Sequence, residues 1–434
     1  MAEIEKPHCS FCGAEKSADV PLIAGNDGRI CEACVMLAHQ VVSSWGQRRK
    51  SAEITRELRT PHAIKAHLDD YVIGQDEAKE TLAVAIYTHY LRLLNQDKTE
   101  PFCQRETAVE LEKSNVLLAG PSGTGKTLLV KTLAQIIGVP VAIADATTLT
   151  QAGYVGDDVD TILARLLEAA NGDVQQAQWG IVYIDEIDKL AKRGGGGMAV
   201  RDISGEGVQQ ALLKMVEGSE VRLPKSGRKR EGGEEIAINT TNILFIVGGA
   251  FPGLEEFIGG RIRPERQGIG FHAASVDRST LTTAQLMEAL QPDDLQKFGL
   301  IPEFIGRFPV ITFLRDLDVA ALLRILTEPR NALIKQYRQL FAYQNVELEF
   351  TDAALKHIAE EALKRGTGAR GLRGIVEAAL RRTMFDLPDK MGLRRCLLDV
   401  VERAGAEELL VSEIIETPIL NEVEEQESAQ AECG

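Results

Sequence analysis

The chain has 434 residues, 44% of them hydrophobic and 26% charged, with a formal net charge of −15. That length supports two or three domains with cores of their own, and the composition is that of a globular protein rather than a disordered or fibrous one. The acidic balance argues against recruitment by a general basic field, so neither nucleic acid nor a membrane surface is an expected partner, and no apolar run approaches the ~18 residues of a membrane helix.

Met1 to Ser10 is charged and lacks an apolar core segment, so no secretory signal is expected and the cytoplasm is the default compartment. Seven cysteines in such a chain point to metal or free thiols rather than disulfides. Cys9-x-x-Cys12 and Cys31-x-x-Cys34, separated by 18 residues, have the spacing of a four-cysteine zinc site. Four thiolates close the coordination shell, so the site is structural, and His8 and His39 are expected bystanders. So small a module buries little, and zinc is expected to supply its folding energy. Leu22, Ile23, Val35, Leu37 and Val41 read equally as core or as a dimer face. From Ser43 to Thr60 the chain is polar, with Arg48-Arg49-Lys50, and reads as a solvated linker.

A new unit begins at Pro61. His67 to Gln75 leads into an amphipathic helix, Asp76 to Leu94, and on pattern alone Val72 and Ile73 could border an adenine or simply be core. Val116 to Ala119 reads as a buried parallel strand, followed by Gly120-Pro121-Ser122-Gly123-Thr124-Gly125-Lys126-Thr127 and a helix from Lys126 to Ile137. This is a phosphate-binding P-loop. Its glycines can turn backbone N–H groups towards a polyphosphate, Lys126 adds a point charge and Thr127 a hydroxyl for magnesium. The nucleotide contacts are expected to run from Gly120 through Leu128.

Val139 to Ala144 reads as the next strand. Gly153-Tyr154-Val155-Gly156 then holds an aromatic between glycines ahead of a helix from Val159 to Ala170; binding loop and ordinary turn weigh evenly. Ile181 to Ile184 is a buried strand ending in Asp185-Glu186, where open α/β sheets bind ligands. Asp185 can hold magnesium, and Glu186 can polarise a water for attack on the γ-phosphate. A four-glycine run at Gly194–Gly197 precedes a helix from Gly205 to Glu217. A basic loop, Lys225 to Gly233, and a strand from Asn242 to Gly249 follow. Strands near 116, 141, 181 and 243, alternating with helices, predict a doubly wound parallel sheet.

Ile258 to Thr280 lacks periodicity and contains Ile269-Gly270-Phe271, which reads as a docking plug or a buried staple. Ile301 to Phe308 closes the α/β part. A mostly helical domain follows, with helices over 316–343, 352–365 and 370–387 and a short strand near Cys396 to Val401. Arg370 sits at a helix start, a place that favours an anion beside it. The tail from Glu413 is acidic, and its last dozen residues read as disordered. The expected domains are therefore 1–50 (zinc), 51–65 (linker), 66–315 (large α/β), 316–412 (small helical) and 413–434 (tail).

Assembled in this order, the four cysteines, Tyr71 to Gln75, both Walker motifs, Gly153 to Gly156, Arg201 to Gly207, Ile301 to Arg307 and Gly368-Ala369-Arg370 resemble the ClpX family of AAA+ unfoldases, which feed a ClpP-type peptidase. The resemblance covers the chain to about residue 412. It implies a homohexamer with ATP, Mg2+ and Zn2+ as cofactors, and with protein substrates and adaptors engaging the zinc domain. It implies adenine contacts at Val72 and Ile73, an arginine finger at Arg307 reaching a neighbour's γ-phosphate, and a sensor at Arg370. It also implies pore contacts to substrate at Tyr154, Val155, Arg201 and Arg228, and docking on the peptidase through Ile269, Gly270 and Phe271. Arg228-Lys229-Arg230 stands where the family usually has Arg-Lys-His, so its charge is fixed rather than titratable. The glycine run and the acidic tail also depart from the pattern. A zinc-bearing nucleic-acid ATPase is disfavoured by the acidic charge and the lack of interleaved basic and aromatic runs. A non-hydrolysing scaffold is disfavoured by the intact Asp185-Glu186 pair, and a chaperone working without a peptidase has no need of Ile-Gly-Phe.

Overall fold

A computed structural model describes residues 7–17, 20–25, 28–38, 58–96, 111–150, 157–191, 203–224, 235–262, 282–390, 393–403 and 406–415. The chain divides into two compact units, residues 1–59 and 60–434. In the first, β1 (Leu22–Ala24) and β2 (Arg29–Cys31) form an antiparallel hairpin with Leu22 opposite Cys31. Helix α1, over residues 32–38, follows directly. Among the described residues of this unit Cys9 and Cys31 are the only buried apolar side chains, whereas Ile23 and Leu37 are 61% and 62% exposed. Of the two expectations for Ile23 and Leu37, core is therefore excluded. Apolar burial at about 25 cal/mol per Å² has almost nothing to act on here.

The second unit opens with α2 (Pro61–Asp69). The Thr60 side chain accepts from the Ala63 N–H, and Pro61 takes a first-turn position where a missing N–H costs nothing. Helix α3 (Asp76–Gln96) runs two residues past the predicted Leu94. Then come β3 (Val116–Ala119), α4 (Lys126–Ile137), β4 (Val141–Asp145), and a short parallel pair, β5 (Leu149–Thr150) and β6 (Asp157–Asp158). Next are α5 (Asp160–Ala169), α6 (Val174–Gln178), β7 (Ile181–Asp185) and α7 (Ile203–Glu217). The hairpin β8 (Glu220–Pro224) and β9 (Glu235–Asn239) precedes β10 (Leu244–Gly249). Helices α8 (Leu254–Ile262), α9 (Thr283–Glu288), α10 (Pro292–Phe298) and α11 (Pro302–Gly306) lead to β11 (Val310–Phe313).

The sheet is parallel throughout, in the order β11-β3-β10-β7-β4. Helices cover both faces, which is why β3, β7 and β10 read as unbroken apolar runs rather than alternating ones. The fifth strand, β11, goes beyond the four predicted from sequence. Its four residues follow directly on Pro309 and include Thr312, and no ligand-binding motif follows them as the P-loop follows the equally short β3. β10 lies between β3 and β7, so the loop after β3 and the carboxylates after β7 face each other across one strand.

The chain then builds α12 (Val319–Thr327), α13 (Leu333–Ala342), β12 (Glu347–Phe350), α14 (Asp352–Lys364), α15 (Ala369–Asp386), β13 (Leu393–Arg403) and β14 (Ala406–Ile415). Their core gathers Leu322, Leu326, Phe341, Ile358, Leu380 and Leu398. The single helix predicted over 316–343 is two helices. Glu328 still has helical backbone (φ −81°, ψ −49°) and closes α12 on Arg324 O, but Pro329 has no N–H to continue the ladder, so the chain turns before α13. The predicted short strand near 396–401 is part of a sheet ordered β12-β13-β14, whose last strand extends past residue 412.

Candidate active site and metal centre

The Cys9–Cys12 knuckle closes through Gly13 N–H to Cys9 O at 2.9 Å, and Cys31 stands at the hairpin's end with Cys34 in the turn of helix that follows. The ligand atoms of Cys9, Cys12, Cys31 and Cys34 lie within 4.8 Å of one another, with Cys12 Sγ and Cys31 Sγ 3.6 Å apart. A tetrahedron with Zn–S bonds near 2.3 Å has edges of about 3.8 Å, so the donor set fits zinc in type, number and spacing. The thiols are electrostatically unequal. The Cys12 backbone N–H lowers Cys9 to about 6, whereas hydrogen bonding with Cys12 and burial push Cys34 up to about 12. Crowded thiolates of this kind are satisfied together by a dication.

The P-loop joins β3 to α4. Gly120 (φ 147°) passes so close to the next segment that a Cβ there would sit 2.7 Å from Leu314 O. Gly123 (φ 83°) would clash in the same way, at 2.8 Å from Thr367 O. Only glycine tolerates both the backbone angle and the approach. Lys126 Nζ donates to Gly120 O and, at 2.9 Å, to Pro121 O. Burial lowers the Lys126 pKa, while Asp185 and Asp188 pull it back up. Thr127 Oγ1 donates to Asp185 Oδ2 at 2.8 Å, so the two residues expected to hold magnesium are already partners. Leu128 is 48% exposed at the start of α4.

At the end of β7, Glu186 N–H donates to Asp185 Oδ1 at 3.0 Å, and Glu186 has left-handed backbone (φ 57°, ψ 32°). A non-glycine residue held in that region is characteristic of functional sites. Asp188, which sequence reading passes over, accepts from Ala250 N–H at 3.0 Å and ties the ends of β7 and β10 together. Tyr183 is missed as well. Its buried hydroxyl occupies the space that a Cβ at Gly248 would fill. The signal that could have found it is its place two residues before Asp185, on the same face of the strand.

Val72 and Ile73 are buried beside Gly74, lining a cavity of about 610 Å³ whose other side includes Arg324, Glu328 and Arg330. Val72 Cγ1 lies 4.0 Å from where a Cβ of Gly125 would be, so this pocket borders the P-loop. Arg370 Nη1 donates to Ser122 Oγ at 3.2 Å, which brings the start of α15 onto the same loop. Gln75, not foreseen, exchanges two hydrogen bonds with the Arg315 backbone, at 2.9 and 2.8 Å, and fastens the segment leading to α12. Among the described residues Arg307 makes no hydrogen bond or ion pair with the P-loop, Asp185 or Glu186; its guanidinium lies on Glu217. Tyr154, Val155, Arg201, Arg228, Ile269, Gly270 and Phe271 lie outside the described residues.

The site thus combines a phosphate cradle, a hydroxyl–carboxylate pair for a hard cation, a second carboxylate, an apolar pocket and a cation from the helical part. Comparison with known proteins matches residues 111–311 to an AAA domain (Cdc48 subfamily), residues 7–44 to the ClpX C4-type zinc finger and residues 317–395 to the C-terminal, D2-small domain, of ClpB protein. The chain is 71% identical over 402 residues to the ATP-dependent Clp protease ATP-binding subunit ClpX of Azotobacter vinelandii, covering 93% of this chain and 91% of that one. It is 58% identical over 396 residues to ClpX 3 of Methylococcus capsulatus, covering 90% and 91%. To ClpX of Borrelia duttonii it is 48% identical over 408 residues, covering 93% of each.

Proposed function

The chain belongs to the ClpX family of ATP-binding subunits of Clp protease, and from that membership we propose that it is a homohexameric unfoldase that threads folded proteins into a ClpP-type peptidase. It is an ATPase that uses ATP and Mg2+, and its four cysteines hold Zn2+. In this reading Lys126 and the P-loop N–H groups bind the phosphates, and Val72 and Ile73 border the adenine. Thr127 and Asp185 hold magnesium, which neutralises charge on the phosphate oxygens. Glu186 accepts the proton of the attacking water, and Arg307 of one subunit stabilises charge on the phosphate bound by its neighbour. Adaptors and substrates engage the zinc module, whose exposed Ile23 and Leu37 offer apolar surface. The work takes place in the cytoplasm, where thiols remain reduced for zinc.

The observation that carries this reading is that both parts of the second unit close on the P-loop. Ser122 receives Arg370, and Gly123 has room only for the Thr367 carbonyl. A change of charge at the γ-phosphate therefore bears on how the start of α15 sits against the P-loop, which supports hydrolysis-driven motion between the two parts. Tyr154, on its glycine-flanked loop, turns that motion into a pull on substrate, and Ile269-Gly270-Phe271 docks the ring on the peptidase. The test is degradation of a folded, tagged reporter by a ClpP-type peptidase with this protein, with and without ATP. Tyr154→Ala is expected to hydrolyse ATP at near the parent rate yet leave the reporter folded. Undiminished degradation by that variant would remove the pore from the mechanism.

A further inference from the structure

Arg307 is held at both ends, and the two attachments differ in kind. Its backbone carbonyl accepts from Asn115 Nδ2 at 2.8 Å, and Asn115 Oδ1 in turn accepts from Phe245 N–H at 3.1 Å. Asn115 is 2% exposed, and its backbone O receives Val310 N–H at 3.4 Å. The carbonyl end is thus tied into the starts of β3, β10 and β11 by a buried amide with both polar atoms used. Losing that amide would leave buried backbone groups unpaired. The guanidinium end is different. Nε and Nη2 both donate to Glu217 Oε1, at 3.0 and 2.6 Å, at the last residue of α7. The two side chains are 52% and 40% exposed. Exposed ion pairs hold weakly, because water screens both partners.

Lys113 registers the sign of the local field. Burial and the positive charges of Arg92 and Arg307 lower its pKa to about 7. Among the described residues its Nζ donates to neutral carbonyls, Thr240 O at 3.2 Å and Ile243 O at 3.5 Å, and lies over the Phe245 ring. Arg307 therefore stands where cations gather, and Glu217 is the one carboxylate that pairs with it among the described residues. A guanidinium so placed exchanges a single carboxylate readily for a more highly charged phosphate, whose geometry matches its planar fork.

We propose that Glu217 is a parking carboxylate for Arg307: it holds the guanidinium in one orientation until a neighbouring subunit's nucleotide phosphate takes it over. The proposal rests on the reading of Arg307 as the residue that reaches across to that phosphate. Asn115 keeps the backbone in place through the exchange, so only the side chain moves. Because Glu217 and the phosphate compete for the same donors, the parking contact restrains turnover, and weakening it releases the finger.

The experiment is steady-state ATP hydrolysis by the full chain across ATP concentrations, with Glu217→Gln, Glu217→Asp, Arg307→Ala and the Glu217→Gln/Arg307→Ala double variant. Glu217→Gln is expected to raise kcat about two- to five-fold, which at 1.36 kcal/mol per decade is about 0.4–1 kcal/mol, the range of an exposed pair. Glu217→Asp keeps the charge and is expected to return kcat towards the parent value. In the Arg307→Ala background, where residual hydrolysis is read at high enzyme with γ-labelled ATP, Glu217→Gln is expected to change nothing. An unchanged or reduced kcat in Glu217→Gln while Arg307→Ala abolishes rapid turnover overturns the parking role alone. An equal effect of Glu217→Gln with and without Arg307 overturns it too, since that marks a merely structural residue. Full turnover by Arg307→Ala removes the finger itself, and the parking role with it.

Discussion

At the scale of single residues, the active site is built from side chains that each need a particular neighbour. Thr127 and Asp185 lie in separate motifs yet meet at 2.8 Å. Glu186, beside them, is the one carboxylate of the pair not engaged by Thr127, which suits it to activate water. Glu186→Gln keeps the shape but removes the carboxylate to which the proposed mechanism assigns the proton. It is expected to bind ATP with near-parent affinity while hydrolysis falls about 10²–10⁴-fold, read by nucleotide-binding titration beside phosphate release. A second residue-scale expectation concerns His89, on α3 and 2% exposed. Burial, with Arg92 and Lys113 adding like charge, lowers its pKa to about 3. The unfolded imidazole takes its proton near pH 6.5, so between 6.5 and 3 the unfolded state binds the extra proton and stability falls as pH falls. The loss is at most about 1.4 kcal/mol per pH unit, and His89→Gln should flatten the decline in Tm between pH 6.5 and 5. An unchanged slope in that variant would assign the acid sensitivity to other groups.

At the scale of elements, periodicity located α3, α4, α5, α7, α14 and α15 and the strands β3, β4, β7 and β10 to within a few residues, because their apolar patterns repeat locally. It joined α12 to α13 across Pro329, since the apolar pattern resumes in phase on the far side. Besides β11, it missed the short helices α1, α2, α6 and α8 to α11, the short pairs β1/β2, β5/β6 and β8/β9, and β12 and β14, each of these being a strand only by virtue of its partner. Another feature invisible to pattern is the clamp between α8 and α10. Arg261 donates bidentately to Asp294 from Nε and Nη2, at 2.9 and 2.7 Å, and also reaches Ala289 O. Asp294 is fully buried and caps α10 by accepting from Gln291 N–H at 3.0 Å. Burial raises its pKa, but the hydrogen bonds from Arg261 and Gln291 outweigh that, and the net shift is downward. Asp294→Ala would strand Arg261 against the fold, so a loss of about 3 kcal/mol or more is expected by denaturant melting. A loss below about 1 kcal/mol would mean that water already solvates the guanidinium.

At the scale of the whole molecule, the two units are stabilised by different physics. Residues 60–434 bury large apolar cores, whereas the described part of residues 1–59 buries little but its cysteines. A strong chelator is therefore expected to unfold the N-terminal unit, seen as release of one zinc per chain and loss of protease resistance there. ATP hydrolysis and the main thermal transition should persist. Loss of both together would show that the units do not fold independently. Within the second unit no helix among the described residues is long and apolar enough to cross a membrane.

The sequence by itself determined the ligand chemistry: a P-loop, a paired Asp-Glu after a strand and four cysteines at zinc spacing are short patterns whose function follows from local backbone geometry. What only the tertiary structure decided is which distant residues complete those patterns. Arg370 reaches Ser122 from 248 positions away, Gln75 fastens Arg315 across 240, and Glu217 meets Arg307 across 90. Strand order sets those meetings. The insertion of β10 between β3 and β7 decides which strand ends share a site, and hydrophobic periodicity carries no record of which strand lies beside which, because every buried parallel strand presents the same apolar run.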